Sequence, residues 1–241
     1  SGMDAVINLV GVLKGDFDAV HRQGAANVAS AAKSAGAKCL VQVSAIGADA
    51  GSPSAYGKSK GQAEQAVRDS FPTATILRPS IIFGREDQFI NRFANLIRML
   101  PVLPVIGGGT KFQPVFVGDV AHAVAAVVRD PAAHSGKTYE LGGPDVMTMK
   151  EINSWIAKST GRHRAMIDVP DNISALLATL TGWLPGAPIT HDQWLMLQKD
   201  NIVEAKSKGL AALGIAATPL DAVAAGWLVQ YRKHGRFGAA A

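Results

Sequence analysis

Apolar and polar positions along the first 160 residues follow two different periods. Short runs rich in β-branched residues predict buried strands, and longer stretches with an apolar residue every third or fourth position predict helices. The predicted strands cover residues 4–10, 38–44, 74–84, 112–117 and 137–142. The predicted helices cover residues 17–35, 55–69, 88–100, 118–129 and 148–160. Because strands and helices alternate, the pattern predicts an α/β fold.

The pattern changes after Gly161. Residues 165–169 predict a short strand, and residues 170–180, 190–198 and 219–231 predict helices. No strand-rich stretch follows, so we expect a smaller, mainly helical C-terminal lobe beside the sheet.

Size and composition narrow the class of protein without naming it. The chain has 241 residues and 48% hydrophobic content, which is enough for one full core and a small second lobe. The net charge of +5 is compatible with an anionic cofactor, an acidic partner or an anionic membrane surface, and ordinary solubility explains it equally well. The 24 Lys and Arg residues are scattered, so we expect no nucleic-acid binding.

Cysteine usage and hydropathy add two exclusions. The single cysteine, Cys39, cannot form a disulfide within the chain, and a reducing compartment fits. No segment approaches the ~20 apolar residues that span a bilayer, so we expect no transmembrane segment. The six histidines show no metal-ligand spacing, so we expect no metal site.

Tyr56 and Lys60 are the main candidates for chemistry. They are four residues apart in a predicted helix, so their side chains share one face. An ammonium beside a phenol should lower the pKa of the phenol and prepare it for proton transfer near neutral pH. The same ammonium can donate hydrogen bonds to ribose hydroxyls. The pair is common in helices, and its position between two strands is what makes it a candidate site.

Small and polar residues end the two strands that flank this helix. Ser44 closes the strand before it, and Pro79 and Ser80 close the strand after it. Ligands of open α/β sheets bind at the carboxyl ends of the strands. We therefore expect these residues to border the same site as Tyr56.

Other features have structural explanations. Asp119 precedes an apolar helix and is expected to be its N-cap. Glu86 and Asp87 precede another helix and are expected to stabilise its positive end. The cluster Gly107-Gly108-Gly109 follows two prolines and opens no predicted helix, so we interpret it as a hairpin or loop.

Four segments together with the Tyr56–Lys60 pair resemble the extended and atypical branches of the short-chain dehydrogenase/reductase superfamily. They are residues 4–11 (DAVINLVG), 24–28 (GAANV), 77–84 (LRPSIIFG) and 116–121 (FVGDVA). The resemblance implies a Rossmann-like, doubly wound parallel sheet. The Gly-rich turn that follows the first strand of such a sheet is absent, so we expect the sheet to be N-terminally truncated. On this basis residues 1–161 form the C-terminal part of a dinucleotide-binding domain with part of the substrate side, and residues 162–241 the helical lobe.

The same resemblance assigns roles to individual residues. It implies that Tyr56 is the acid/base and that Lys60 binds the cofactor. It implies that Ser44 polarises a substrate carbonyl, although the family's serine could also fall at Ala45 or Ile46, and Ser44 would then only admit the cofactor to the strand end. The implied cofactor-binding residues are Leu9, Val10, Gly11, Val43, Ser44, Tyr56, Lys60, Pro79, Ser80, Ile81 and Ile82.

The chain is similar in particular to the family of the nucleotide-binding accessory subunit of respiratory complex I and its bacterial relatives. The segments that carry this similarity are residues 8–13 (NLVGVL), 43–48 (VSAIGA), 83–94 (FGREDQFINRFA) and 194–203 (WLMLQKDNIV). The similarity implies a tightly held NADP or NAD with little turnover. The first alternative is an active NAD(P)-dependent epimerase, dehydratase or reductase that uses Tyr56. The second alternative is a redox-sensing regulator.

The expected partners follow from these alternatives. One expected partner is the dinucleotide. For the accessory subunit, respiratory complex I subunits at the membrane surface are also expected, and a homo-oligomer is left open. The expected location is the cytoplasm or the mitochondrial matrix, including a position peripheral to the inner membrane. The residue that distinguishes NAD from NADP lies upstream of this sequence in such folds, so that choice and the substrate stay open.

Overall fold

Strands and helices alternate through the described parts of the chain, which are residues 2–184, 187–233 and 235–237 of a computed structural model. The strands are β1 (Ala5–Asn8), β2 (Cys39–Val43), β3 (Thr75–Pro79), β4 (Ile82–Phe83), β5 (Val102–Val105), β6 (Lys111–Phe112), β7 (Val115–Phe116), β8 (Thr138–Leu141), β9 (Met147–Thr148) and β10 (Ala165–Asp168). The predicted α/β class is confirmed.

The α-helices carry labels of their own. They are α1 (Gly24–Ser34), α2 (Ala55–Ser70), α3 (Phe89–Met99), α4 (Val117–Arg129), α5 (Pro131–His134), α6 (Met149–Ser159), α7 (Asp171–Thr181), α8 (His191–Met196) and α9 (Leu220–Leu228). A π-helical segment, Asp18–Gln23, runs directly into α1, and short 3-10 turns cover Leu210–Leu213, Val229–Tyr231 and Gly235–Phe237. None of the described helices is long and apolar enough to cross a membrane.

The first of two structural units is built on a parallel sheet. It comprises Ser1–Ser80, Gly118–Gly142 and Val203–Ala217. The strand order is β1-β2-β3-β8, and all three pairings are parallel. β2 is almost entirely buried, as expected for an apolar strand inside a parallel sheet.

The core of the first unit combines alanines with larger apolar residues. It contains Ala25, Ala29, Ala32, Leu40, Ala63, Val67, Phe71, Ala74 and Ile76. Alanines at one face of α1 let that helix approach the strands closely, because they add little side-chain thickness. This packing brings α1 and α2 together over the sheet.

The second unit is built from short strand pairs and helices. It comprises Ile81–Val117, Gly143–Ile202 and Thr218–Ala241. β4 pairs with β7 and β5 with β10 in parallel, and β6 pairs with β9 antiparallel. The core of this unit is apolar and aromatic, with Phe83, Ile90, Ile97, Phe112, Ile152, Ile156, Trp227 and Leu228 among its buried residues.

Local sequence signals explain where several elements begin. Thr148 accepts a hydrogen bond from the Glu151 amide while the Glu151 carboxylate accepts one from the Thr148 amide, so the capping box expected from this spacing is present at α6. Asp87 accepts hydrogen bonds from the amides of Ile90 and Gly84, which places a carboxylate at the start of α3 as expected. Residues 106–109 form the predicted loop.

Three local expectations were wrong. The predicted strand 74–84 is interrupted after Pro79, and its second part, β4, pairs with β7 in a different sheet. The predicted strand 112–117 is split into β6 and β7, and Pro114, which has no amide hydrogen to give to a ladder, lies between them. Asp119 is not the N-cap of α4, because that helix begins at Val117 and places Asp119 inside its first turn, where it is buried. The division of the chain at residue 161 stays a prediction, since each unit draws on separate segments of the chain.

Candidate functional site

The start of α2 fixes the position of Tyr56 and Lys60. Ser54 has an extended backbone, and its hydroxyl accepts a hydrogen bond from the Gly57 amide at 3.2 Å, so it caps the helix. Tyr56 and Lys60 then occupy the first two turns, on one face, as the spacing predicts. The Lys60 ammonium lies 6.0 Å from the centre of the Tyr56 ring.

Lys60 is buried, and its ammonium has few hydrogen-bond partners within the described residues. Nζ donates to the carbonyl of Val43 at 3.5 Å, which is a long hydrogen bond and the only one it makes within the described residues. An ammonium has three donors and is expensive to bury without partners. Burial accordingly lowers the pKa of Lys60, and the nearby Glu64 carboxylate opposes that shift.

The expected lowering of the Tyr56 pKa was wrong. Burial raises the pKa of this phenol above its ordinary value. The physical reason is that desolvation penalises the phenolate. The neighbouring ammonium is 6.0 Å from the ring centre and does not reverse the direction. At neutral pH Tyr56 is therefore a protonated donor.

Sequence reasoning missed His21, which is buried in the π-helical segment. Its Nε2 accepts a hydrogen bond from the Val12 amide at 2.9 Å, and its Nδ1 lies 2.8 Å from the hydroxyl oxygen of Ser59. The Ser59 hydroxyl donates to the carbonyl of Tyr56 at 2.8 Å, so its oxygen accepts the proton of His21 Nδ1. The ring is therefore neutral with its proton on Nδ1, and burial together with the Lys60 charge lowers its pKa.

Aromatic contacts complete the surroundings of Tyr56. The His21 ring meets the Tyr56 ring edge to face at 5.5 Å, and Phe17 stacks on His21 at 5.5 Å. Phe17 also meets Tyr56 edge to face at 6.1 Å. Irregular π-helical turns often occur at functional positions. Here the turn places the His21 imidazole against α2, the helix that carries Tyr56 and Lys60.

The loop after β1 reaches the same place. A Cβ on Gly11 would lie 3.2 Å from Lys60 Nζ and 3.8 Å from His21 Nε2, so the glycine leaves room beside the ammonium. Leu9 and Val10 are 68% and 57% exposed, respectively. Gly11 is therefore adjacent to Lys60, and the side chains of Leu9 and Val10 are exposed to solvent.

Ser44 ends β2 with a buried hydroxyl that finds no hydrogen-bond partner among the described residues. Its amide donates to the carbonyl of Leu77 at 2.7 Å, and the amide of Ile46 donates to the carbonyl of Pro79 at 3.0 Å. The ends of β2 and β3 are therefore adjacent, as the parallel-sheet prediction requires. A buried hydroxyl without a partner is unusual in a folded chain and is a natural position for a ligand contact.

The remaining predicted residues are divided between the two units. Ser80 is buried in the first unit, and its amide donates to the carbonyl of Leu141 at 2.9 Å. Ile81 and Ile82 belong to the second unit. There Ile82 pairs with Val115 in β4–β7, and the carbonyl of Ile81 accepts from the Val115 amide at 2.9 Å. Their role as cofactor contacts stays a prediction.

A buried ion network braces α2 against the sheet. Arg78 on β3 pairs with Glu64 at 2.7 Å and with Glu140 on β8 at 3.5 Å. The other oxygen of Glu140 accepts from the Glu204 amide at 2.9 Å. Both carboxylates are buried, and they raise the pKa of Arg78, chiefly through the hydrogen bonds that Glu64 accepts from it. Because Glu64 is one helical turn after Lys60, this network also fixes the turn that carries the ammonium.

The donor set suits an organic ligand with hydroxyl groups. No group of three or more His, Cys, Asp or Glu side chains able to hold a metal ion occurs in residues 2–184, 187–233 and 235–237. The site instead contains the buried ammonium of Lys60, the buried hydroxyl of Ser44 and the protonated phenol of Tyr56. Gly11 has no side chain and leaves space beside the ammonium. The ribose and amide groups of a nicotinamide dinucleotide fit these donors.

Comparison with protein families gives one match that covers most of the chain. The family described as "RmlD substrate binding domain" matches residues 16–176. This range includes His21, Ser44, Tyr56, Lys60 and the strand end at Pro79.

Among curated proteins, several mitochondrial relatives bear the same name. NADH dehydrogenase [ubiquinone] 1 alpha subcomplex subunit 9 of Arabidopsis thaliana is 34% identical, over 96% of this chain and 61% of the relative. The Mus musculus protein of that name is also 34% identical, over 90% of this chain and 59% of the relative. A ceramide reductase of Caulobacter vibrioides is 32% identical, over 70% of this chain and 54% of the relative. The chain therefore spans about 60% of the length of the Arabidopsis thaliana and Mus musculus relatives.

Solved structures show the same fold at lower identity. The NADPH-dependent quinone oxidoreductase QOR2 of Escherichia coli, complexed with NADPH, superposes with a TM-score of 0.74 at 23% identity, over 94% of this chain and 77% of that one. The dTDP-4-dehydrorhamnose reductase of Bacillus anthracis, in complex with NADP, gives a TM-score of 0.62 at 18% identity, over 80% and 79% of the two chains. With the family match, this confirms the expected relationship: the chain belongs to the RmlD substrate binding domain family, within the proteins that resemble short-chain dehydrogenases/reductases.

Proposed function

We propose that this chain forms the ribose and nicotinamide side of a NAD(P) site in a complex-I-type accessory protein with little turnover. The observation that carries the proposal is the buried Lys60 ammonium, whose one hydrogen bond within the described residues is 3.5 Å long. A buried cation with unused donors costs folding free energy, and a ligand rich in hydroxyl groups recovers it.

Neighbouring groups make the pocket suitable for a ribose. Gly11 leaves space beside the ammonium, and the unpartnered Ser44 hydroxyl lies directly after Val43, whose carbonyl faces Lys60. Lys60 would donate to the ribose hydroxyls, and Tyr56 would orient them. Leu9, Val10 and Gly11 would line one wall, and Pro79 and Ser80 the nicotinamide end. The nicotinamide ring, when bound, supplies the capacity to carry a hydride.

The state of Tyr56 favours binding over rapid turnover. Burial raises the pKa of the phenol, so the phenolate that would accept a proton is scarce at neutral pH. A protonated Tyr56 still donates a hydrogen bond and so serves as a ribose ligand. The two mitochondrial relatives are named as subunits of NADH dehydrogenase, which supports association with respiratory complex I peripheral to the inner membrane.

A carbonyl reductase is the second candidate, and the same protonated phenol favours it. In a reduction the tyrosine gives a proton to the developing alkoxide, so a protonated Tyr56 is in the required state. The similarity to a protein named ceramide reductase supports this direction of chemistry. An epimerase or a redox-sensing regulator has no observation of its own in this structure.

The binding proposal is tested with the full-length protein by titrating NADPH and NADH and following nicotinamide fluorescence. Replacing Lys60 by Met removes charge-assisted hydrogen bonds worth about 1.5–3 kcal/mol each, so the Kd should rise at least about tenfold. Lys58→Met is the matched control, because Lys58 is exposed on the same helix and two residues away. Equal affinities for the Lys60→Met protein and the parent would contradict the proposal.

Turnover and partner association separate the two candidates. The accessory protein is expected to oxidise NADPH negligibly with simple ketones and to co-purify with complex I subunits. Rapid NADPH oxidation that disappears in Tyr56→Phe, with dinucleotide affinity retained, would establish the reductase instead.

A further inference from the structure

Three arginines of the second unit converge without a carboxylate among them. Arg98 ends α3, and Arg162 and Arg164 lie between α6 and β10. Arg162 Nε donates to the carbonyl of Tyr231 at 3.0 Å, and Arg98 lies over the Tyr231 ring at 5.9 Å from its centre. Arg98 and Arg162 therefore contact the same residue, Tyr231.

The cluster has no counter-charge in the described parts of the chain. The ion pairs found there involve other arginines and lysines, and none involves Arg98, Arg162 or Arg164. Burial lowers the pKa of Arg162, and repulsion from Arg164 and Arg98 adds to the shift. Like charges held at short range destabilise the fold unless an anion joins them.

Helix capping explains only part of this arrangement. Arg164 Nε donates to the carbonyl of Ile97 at 3.0 Å, in the last turn of α3, where a cation is favourable. Capping uses the Nε of Arg164, and the Nε of Arg162 is likewise taken by a backbone carbonyl. The two terminal NH2 groups of Arg162 have no hydrogen-bond partner within the described ranges. Two parallel donors of this kind match the oxygens of a phosphate.

Arg162 and Arg164 also line a cavity. Its volume is about 740 Å³, and its charged lining is Lys150, Lys158, Arg162, His163 and Arg164. Lys150 is neutralised by Asp168 at 2.5 Å, which leaves Lys158 and the two arginines uncompensated. Small residues such as Gly161 and Ala165 also line the cavity, so a ligand can approach without displacing bulky side chains.

Arg164 Nη1 donates to the carbonyl of His163 at 3.2 Å, which leaves Nη2 as its remaining terminal donor. We propose that this cavity binds a phosphate-bearing anion, held by the two terminal groups of Arg162, by Nη2 of Arg164 and by the positive field of Arg98 and Lys158. All of these residues lie in the second unit, and the dinucleotide proposal rests on Lys60 in the first. The anion can be a free phosphate compound or the head group of an anionic lipid, since the two offer the same oxygens.

The site itself is tested on the full chain by calorimetric titration with inorganic pyrophosphate. The parent is expected to bind saturably, and the double variant Arg162→Gln/Arg164→Gln to bind at least tenfold more weakly. Lys33→Gln/Arg129→Gln removes two exposed positive charges from the first unit and serves as the control with the same net charge. No binding by the parent, or equal weakening in both double variants, would overturn the proposal.

Thermal unfolding distinguishes a lost binding site from a misfolded variant. Because the arginines repel one another, Arg162→Gln is expected to keep or raise the Tm in phosphate-free buffer and to abolish the rise that pyrophosphate gives the parent. A lower Tm with the pyrophosphate-dependent rise intact would mean that Arg162 is structural. The double variant should retain NADPH affinity, so failure of this proposal and failure of the dinucleotide proposal are distinguishable.

Vesicle sedimentation then identifies the source of the phosphate. Phosphatidylcholine vesicles with and without phosphatidylglycerol are compared at the same salt concentration. For a lipid head group, the parent sediments only with the phosphatidylglycerol vesicles, and pyrophosphate releases it. For a free phosphate compound, the chain stays in solution and the calorimetric binding remains. Both results support the site, and sedimentation that the Arg162→Gln/Arg164→Gln variant retains in full would count against it.

Discussion

The two structural units place their charges differently. The buried side chains of Asp, Glu, Lys and His within the described residues are His21, Lys60, Glu64, Asp119 and Glu140, and all five belong to the first unit. The second unit buries only neutral polar side chains in its described parts, namely Asn153, Thr160 and Ser174, inside an apolar and aromatic core. Two of its three clustered arginines, Arg162 and Arg164, line a cavity.

This difference separates two ways of stabilising a fold. Burial of apolar surface stabilises the second unit with little dependence on pH or on ligands. The first unit bears the cost of burying ionised groups, which is offset only where each charge finds a partner. Glu64 and Glu140 share Arg78, but Lys60 forms no ion pair within the described residues, and the proposed ligand would supply its missing hydrogen-bond acceptors.

The largest expected effect comes from breaking the ion network of the first unit. Arg78→Met leaves Glu64 and Glu140 buried without their cation. Removing one member of a buried pair typically costs about 3–5 kcal/mol, and the partial exposure of Arg78 reduces the expectation to about 3–4 kcal/mol. Denaturant unfolding followed by circular dichroism measures the loss.

A charge-matched control sharpens this test. Arg129→Met removes an exposed arginine from the same unit and should change the free energy of unfolding by less than about 0.5 kcal/mol. The double variant Arg78→Met/Glu64→Gln should recover part of the loss, because one of the two unpaired carboxylates is gone. A loss below 1 kcal/mol for Arg78→Met would show that the network is not structural.

The second unit should respond to loss of apolar volume. Ile156 is fully buried in its core, and Ile156→Ala should cost about 2–4 kcal/mol through lost burial and the cavity that remains. Ile167 is 60% exposed, so Ile167→Ala is the control and should cost about 0.5 kcal/mol or less. The cost of Ile156→Ala should be the same at pH 5.5 and pH 7.5, and a strong dependence on pH would undo the contrast between the units.

Sequence reasoning reached the parts of this molecule that local patterns control. The alternation of periods placed the strands of the parallel sheet, and the spacing of Tyr56 and Lys60 placed both on one face of α2. The Thr148–Glu151 capping box was also predictable, because both of its residues lie within one turn. These features depend on contacts between residues close in the chain.

Features that depend on distant contacts or on burial were not predictable in this way. His21 reaches Ser59 across 38 residues, and a lone histidine in a helix gives no sign of that partner. The direction of the Tyr56 pKa was wrong because sequence spacing shows a neighbouring charge but not the depth of burial, and here burial dominates. The arginine cluster likewise combines two separate segments, which meet at Tyr231 of a third.

A pH titration of stability isolates His21. Its pKa is lowered in the folded state, so below the ordinary value of about 6.5 the unfolded chain takes up a proton that the folded chain refuses. This contribution to stability is complete above pH 7 and is lost as the pH falls through the folded pKa. His21→Gln should therefore flatten the decrease in the free energy of unfolding between pH 7 and pH 5.

The control for this prediction is His122→Gln, because His122 is exposed on α4. It should leave the slope of stability against pH equal to that of the parent. Each unit of pKa difference between the folded and unfolded states corresponds to about 1.4 kcal/mol over the full titration. Parallel pH profiles for His21→Gln and the parent would mean that the imidazole does not hold a neutral state in the fold.

The smallest expected change in stability comes from the residue with the largest expected role in binding. Lys60→Met replaces a buried, poorly partnered ammonium by an apolar side chain of similar length, so the free energy of unfolding without ligand should stay level or rise by up to about 1 kcal/mol. Glu64 keeps Arg78 as its partner in this variant, so no new unpaired charge appears. The added stability that NADPH gives the parent should disappear at the same time. A decrease of more than 2 kcal/mol in the free energy of unfolding without ligand would instead make Lys60 part of the structural network. The two units would then differ only in the kind of buried groups that stabilise each of them.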